Sequence, residues 1–289
     1  MKRLVVCAAF ALSGCASSIP AVTTLAQLPS APCAKAVDVT WYGPSLDDDR
    51  QLLSHGCESV SAPIVVARRR DLSRLPASPH VIHVVSWNMH EGRGDLDRLI
   101  ATLPSPFVLL IQEAVPAITD LARAHDLYAA YVPSMPNGRG RPARYADRGN
   151  AIVSSLPLDH PAAIELPWVY QRRVAVMATV GDTRVVCVHL DNRPGRKRQA
   201  EALAAFLRTV RAPRVIVGGD LNTWFGAGEE TVSALDAVVP RVRACGDAPT
   251  FRFGRRLDYI FTSIPAAAKC EVMTDTFGSD HHPVALALF

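Results

Sequence analysis

Beyond His80 the chain alternates short β-branched apolar runs with segments whose apolar residues recur at helical spacing. The pattern predicts strands over 81–87, 107–111, 128–132, 151–154, 174–180, 184–189, 215–217, 259–262 and 284–288. Helices are predicted over 96–103, 118–125 and 199–210, the last with Leu203, Phe206, Leu207 and Val210 on one side. Some strands follow one another through short turns such as Gly181-Asp182, whereas others are separated by a helix. A doubly wound parallel sheet needs a crossover between its strands and does not fit this mixture. The pattern predicts an α+β fold instead, a four-layer α/β/β/α sandwich of two mixed β-sheets flanked by helices.

The first 79 residues have another texture. Lys2 and Arg3 precede an apolar stretch from Leu4 to Leu12, too short to span a bilayer, and Leu12-Ser13-Gly14-Cys15 follows. This resembles the lipobox of bacterial lipoproteins, in which the cysteine is acylated and becomes the new N-terminus. Residues 1–14 are then a signal peptide, and 15–35, rich in Ala, Ser, Thr and Pro, a lipidated tether. Residues 36–79, with a possible strand at Ile64 to Ala67, form an extension that packs on a main domain over 80–289. The expected location is outside the cytoplasm, lipid-anchored to a bacterial membrane. Ala16 after the cysteine favours the outer membrane, facing the periplasm.

Composition narrows the class. With 49% hydrophobic and 20% charged residues the chain can build a sizeable core, which excludes a disordered polymer. A net charge of +4 permits an anionic substrate without requiring one. Of seven cysteines, five keep their thiols once Cys7 is cleaved away and Cys15 is lipidated. An oxidising compartment permits disulfides, and proximity pairs Cys33 with Cys57 and Cys245 with Cys270. Cys187, inside the apolar run Val185 to Val188, reads as a buried free thiol, and no pair has zinc-knuckle spacing.

Polar groups gather where strands end, the positions a scaffold presents to a cleft. They are Ser86-Trp87-Asn88, Gln112-Glu113, His189-Leu190-Asp191, Gly218-Gly219-Asp220-Leu221-Asn222, Leu257-Asp258-Tyr259-Ile260-Phe261 and Gly278-Ser279-Asp280-His281-His282-Pro283. Singly, each reads as easily as a turn or cap, since Asp and Asn favour Asx-turns. Together they supply hard oxygen ligands, two histidines and amide donors with few thiols. That set suits Mg²⁺ or Mn²⁺ better than zinc.

In their order and spacing these motifs resemble the endonuclease/exonuclease/phosphatase family, which includes deoxyribonucleases, abasic-site endonucleases, neutral sphingomyelinases and inositol-polyphosphate phosphatases. The resemblance runs from about His80 to Phe289 and implies a metal-dependent hydrolase of phosphate esters. It implies Glu113 as principal metal ligand, with Asn88 at the metal or phosphate and Asp280 near the metal. By the same resemblance Asp220 and Asn222 orient the attacking water and hold the scissile phosphate. His281, oriented by Asp258, bonds the phosphate or shuttles a proton, and His189 is the second catalytic histidine. Tyr145 and Asp147 resemble a deoxyribonuclease feature in which the acid partners that histidine. Either Arg172 or Arg173 reaches the phosphate.

Two basic stretches, Asn137 to Arg144 and Arg193 to Arg198, flank these motifs and read equally as tracks for a nucleic-acid backbone or as solvated surface. Arg68 to Arg70 reads as a solvated turn or a membrane-facing patch. Trp41, Trp168 and Trp224 read as packing, with Trp224 the best placed of the three for substrate contact. The function expected first is an extracytoplasmic nuclease, probing nucleic acid as substrate, monomeric and without a protein partner. A membrane-lipid phosphodiesterase or a phosphatase comes next. An inactive surface-binding module is the alternative from another class.

Overall fold

A computed structural model describes residues 64–66, 81–136, 147–167, 173–192, 195–264 and 269–288. The leader, Cys15, the tether, the Cys33–Cys57 pairing, Arg68 to Arg70, Trp41, Trp168, Tyr145, Arg172 and the 137–144 loop lie outside the described residues, as does the 36–79 extension apart from 64–66.

Twelve strands are described: β1 (Ile64–Val66), β2 (Ile82–Asn88), β3 (Phe107–Ala114), β4 (Tyr128–Pro136), β5 (Asp147–Ser154), β6 (Asp159–Leu166), β7 (Arg173–Val180), β8 (Thr183–His189), β9 (Arg214–Asp220), β10 (Asp258–Thr262), β11 (Lys269–Val272) and β12 (Val284–Leu288). They form a seven-stranded sheet, ordered β1-β4-β5-β3-β2-β12-β11, and a five-stranded sheet, ordered β10-β9-β8-β7-β6. Each sheet is mixed, with β2–β3 and β8–β9 as its parallel pair. The helices are α1 (Leu96–Thr102), α2 (Ile118–Ala124), α3 (Arg196–Thr209) and α4 (Glu230–Asp236).

The continuous apolar runs have a simple cause. Side chains alternate across a strand, and here both faces of both sheets are covered. In β3, Val108 and Leu110 enter the core between the sheets, whereas Phe107, Leu109 and Ile111 join Leu96, Leu99 and Ile118 of α1 and α2 outside. In β8, Val185 and Cys187 face inward, and Val186 and Val188 meet Leu203 and Leu207 of α3. The four-layer sandwich follows.

The glycines of Gly218-Gly219 make the close packing possible. A Cβ on Gly219 would lie 1.9 Å from the carbonyl oxygen of Val188, and one on Gly218 would lie 2.6 Å from Leu110 of the facing sheet. β9 therefore sits against both neighbours, with Asp220 at its end.

Some expectations need correction. Three elements were not foreseen: β6, β11 and α4. β6 opens on exposed Asp159 and His160, and the four-residue edge strand β11 is half exposed, so neither shows a clear apolar alternation. α4 spans only seven residues, too few for a helical period to stand out. β3 also runs past Ile111 to Ala114, with a register shift between Gln112 and Ala114 where Glu113 takes φ 53°. A bulge with a left-handed residue redirects a side chain, and that residue is Glu113. Cys245 and Cys270 form the expected disulfide, and Cys187 is a buried free thiol. Burial pushes that thiol up to about 12.

Candidate active site

Strand register assembles the site. His189 and Asp220 are partners at the ends of parallel β8 and β9, and Asp258 opens β10 directly opposite Asp220. Asn88 ends β2 in the other sheet, beside Gln112. The two sheets meet there, where Asn88 Nδ2 donates to Asp220 Oδ2 at 3.0 Å.

Asp220 is the hub. Its Oδ1 accepts the backbone N–H of Asn222 at 2.8 Å, an Asx-type turn that helps hold Asn222 at φ 53°. The Nε2 atoms of His189 and His281 lie 3.4 and 3.8 Å from its Oδ2. Burial, reinforced by the negative charge of Asp258, raises Asp220 to about 7, although His281, Asn88 and the Asn222 amide pull the other way.

The two histidines are in opposite electrostatic settings. Burial alone would lower His281, but Asp258, bonded to its Nδ1 at 2.8 Å, overrides burial together with Asp220 and Asp280 and raises it to about 10. His189 is pushed well below its usual value by burial, then by Arg173, His281 and Arg148. Asn222 Nδ2 lies 3.0 Å from His189 Nε2, and since an amide nitrogen only donates, that Nε2 accepts. At neutral pH the site thus holds a cationic and a neutral imidazole.

Asn88, Glu113 and Asp280 surround one turn. The N–H of His90 donates to Asn88 Oδ1 at 2.9 Å, and the N–H of Glu91 donates to Glu113 Oε2 at 2.8 Å. Asp280 Oδ1 lies 3.4 Å from His90 Nδ1. Ser279 locks the C-terminal segment onto β2 by donating to Asn88 O at 2.6 Å and accepting from His281 N at 3.0 Å. Trp87 Nε1 donates to His281 O. Three side chains with oxygen donors around this turn, two of them carboxylates, are by their chemistry a hard-ligand set suited to a divalent cation.

Asp220, Asp258 and His281 also lie close enough to share an ion, their ligand atoms within 4.8 Å of one another. A cation there would have to displace the Asp258–His281 hydrogen bond and compete with Asn88 for Asp220. At the group of Asn88, Glu113 and Asp280 a cation would meet the second oxygens of Glu113 and Asp280, since Asn88 Oδ1, Glu113 Oε2 and Asp280 Oδ1 already face His90 and Glu91, and the Asp258–His281 bond would be kept.

Of the two candidate arginines, Arg173 is described and buried at the start of β7, where it lines a recess with Glu113, Ser134, Arg148, Asn150 and His189. Burial lowers its guanidinium, opposed first by Asp191 and then by Glu113. The strand carrying Asp147 is described, but its side chain is not. Arg196 and Lys197 are engaged with α4, through Glu229 at 3.0 Å and Glu230 at 2.8 Å, which fits the solvated-helix reading of that stretch.

Sequence reasoning missed Glu91, Arg148 and Asn150. Arg148 forms a buried ion pair with Glu91 and lies 4.0 Å from Glu113, while Asn150 Nδ2 donates to Val174 O. The signal for the last two was Arg148-Gly149-Asn150 at the mouth of the apolar run Ala151 to Val153, a polar cluster like those singled out. Glu91 has no comparable signal.

A family model of the endonuclease/exonuclease/phosphatase family matches residues 85–281. The chain belongs to the endonuclease/exonuclease/phosphatase family. It is accordingly a metal-dependent phosphoric ester hydrolase. Among solved structures, the human Nocturnin catalytic domain with bound sulfate anion is similar at 18% identity and TM-score 0.58, covering 78% of this chain and 97% of that one. Zebrafish (D. rerio) TDP2 complexed with single strand DNA product is similar at 17% and 0.56, covering 73% and 100%. A mannosyl-6-phosphatase of Bacteroides thetaiotaomicron is similar at 16% and 0.55, covering 72% and 100%. These likenesses establish the shared fold. Curated protein sequences return no significant match.

Proposed function

We propose that this family member is a phosphodiesterase acting as an extracytoplasmic nuclease, with Mg²⁺ or Mn²⁺ as its ion. The observation that carries the reading is the placement of Asp220 between a cationic His281 and a neutral His189. A phosphodiester anion repels a nucleophile, so hydrolysis needs a held water and donors aimed at the phosphate. Asp220, with a pKa near neutrality, takes the proton of the attacking water. His281, kept protonated by Asp258, donates to a non-bridging oxygen as charge builds there. Asn222 and Arg173 donate to the same phosphate, and His189 orients Asn222. Glu113, Asn88 and Asp280 hold the divalent cation, which supplies Lewis-acid polarisation of the phosphate when bound. By the family resemblance Tyr145 and Asp147 are assigned as partners of His189, and Arg172 is the other candidate phosphate contact.

Nucleic acid is favoured as substrate by the basic 137–144 stretch and by the Tyr145/Asp147 feature. The Leu12-Ser13-Gly14-Cys15 motif supports export and acylation at Cys15, and Ala16 after it supports anchorage to the outer membrane, facing the periplasm.

The test is the full-length chain, purified in detergent and assayed with Mg²⁺ or Mn²⁺ on DNA, RNA, sphingomyelin and phosphomonoesters. Nucleic acid should be cleaved, with activity lost in Asp220→Asn and His281→Ala while circular dichroism is unchanged. Faster turnover of a lipid diester or a phosphomonoester overturns the nuclease reading, and activity surviving both changes overturns the site. Cys15→Ser should abolish incorporation of labelled palmitate in cells; continued labelling refutes the anchor.

A further inference from the structure

Phe225 and Phe253 are the large apolar side chains left exposed among the described residues, at 85% and 67%. A single exposed phenyl ring is ordinary. These two stand on the loops that leave Asn222 and lead into Asp258, the two segments that flank the proposed chemistry.

The loops are joined and ordered. Arg255 Nη1 donates to Trp224 O at 2.9 Å, and its guanidinium lies 6.0 Å from the Trp224 ring centre. The Phe225 N–H donates to Glu229 at 2.7 Å. On the second loop the rings form a continuous series outward from the site. Phe251 lies 4.8 Å from the His281 ring, Phe253 lies 5.3 Å from Phe251, and the Arg252 guanidinium lies 4.7 Å from the Phe253 ring. The series begins on a side chain proposed to touch the phosphate and ends in solvent.

Aromatic faces interleaved with guanidinium groups are the surface that single-stranded nucleic acid selects, because bases stack on the rings while cations meet the backbone. A duplex has no free base faces to offer. We propose that Phe253 and Phe225 form a stacking rim for the bases beside the scissile phosphate of single-stranded nucleic acid, with Arg252 and Arg255 meeting the neighbouring phosphates. This inference rests on the nuclease reading and narrows its substrate to unpaired strands.

The test measures binding of the full-length chain in chelator, so that hydrolysis plays no part. A fluorescein-labelled 12-nucleotide strand is compared by anisotropy with an abasic strand of the same length and charge. Phe225→Ala and Phe253→Ala should each weaken binding of the base-bearing strand roughly tenfold, and Phe253→Trp should retain it. The abasic strand should bind weakly and be indifferent to all three changes. Equal affinity of the native protein for the two strands overturns the proposal, as does wild-type affinity in the alanine variants. So does a loss of binding to phosphatidylglycerol vesicles on Phe→Ala with oligonucleotide binding unchanged, which would assign the rim to a membrane. Failure of the native protein to cleave the strand when Mn²⁺ is restored counts against the nuclease reading alone. Both rings are exposed, so an unchanged melting temperature confirms that each variant is folded.

Discussion

Replacing Asp258 by asparagine removes the charge that keeps His281 protonated while leaving the shape of the side chain. His281 is raised from an ordinary 6.5 to about 10, a preference for the charged ring of roughly 5 kcal/mol. Asp258 is fully buried and bonded to the ring at 2.8 Å, so it supplies the largest part of that preference against the opposing effect of burial. The sign follows from linkage. A group raised in the folded state contributes stability that is complete below its unfolded value, here 6.5, and lost as pH rises through about 10. The variant should therefore be several kcal/mol less stable than the native chain at pH 6.5, with the gap closing toward pH 10.5. Asp220 responds to the same substitution, since Asp258 raises it and His281 lowers it, so the comparison is repeated in an Asp220→Asn background to isolate His281.

Two measurements check this in chelator. Urea unfolding from pH 6 to 10.5 gives the gap, and NMR titration of the nine histidines follows the ring, with His281→Gln assigning its signal. His281 should titrate near 10 in the native chain and at or below 6.5 in Asp258→Asn. With metal restored, kcat should fall by about 10² to 10⁴, the range for loss of an orienting carboxylate or a proton-transfer group. A stability gap that is the same at pH 6 and pH 10.5, or a His281 titration that ignores the substitution, refutes the reasoning.

Three further outcomes are expected. Calorimetric Mn²⁺ binding should weaken by more than about tenfold in Glu113→Gln and stay near native in Asp258→Asn; the reverse pattern moves the ion to the Asp220, Asp258 and His281 group. The acid limb of kcat/KM should lie near pH 7, where Asp220 loses its proton, and should be absent from any residual activity of Asp220→Asn; the same limb in that residual activity removes Asp220 as the base. Reducing the Cys245–Cys270 disulfide, which spans 25 residues, should cost about 3 kcal/mol in urea unfolding; an unchanged midpoint refutes that contribution.

The layers of the fold were legible because both faces of the inner strands are apolar. Val108 and Leu110 could be recognised as strand without knowing which sheet they face. The edge strands β6 and β11 were not, since an edge strand needs only one partner, and β11, paired with β12 alone, carries half-exposed Cys270 and Val272. Site positions were legible where a strand delivers them, as with Asp220 at the end of β9 and Asp258 at the start of β10. Glu113 was read as lying beyond its strand, because nothing in Gln112-Glu113-Ala114 announces a left-handed residue inside a ladder.

What escaped the sequence is the pairing of buried charges. Arg148 and Glu91 lie 57 residues apart, and each alone reads as an ordinary surface residue. In the fold both are buried, and a buried ion pair stabilises little once desolvation is counted. Its consequence here is positional. Glu91 is held at φ 56° with its N–H on Glu113 Oε2, while its own carboxylate is tied to Arg148. The pair therefore fixes the backbone amide that aims Glu113, and Arg148 in turn lines the recess that holds Arg173 and His189. A charge that looks superfluous in the sequence thereby connects the proposed metal turn to the phosphate-facing recess, and only the packing of β5 against β3 reveals that connection.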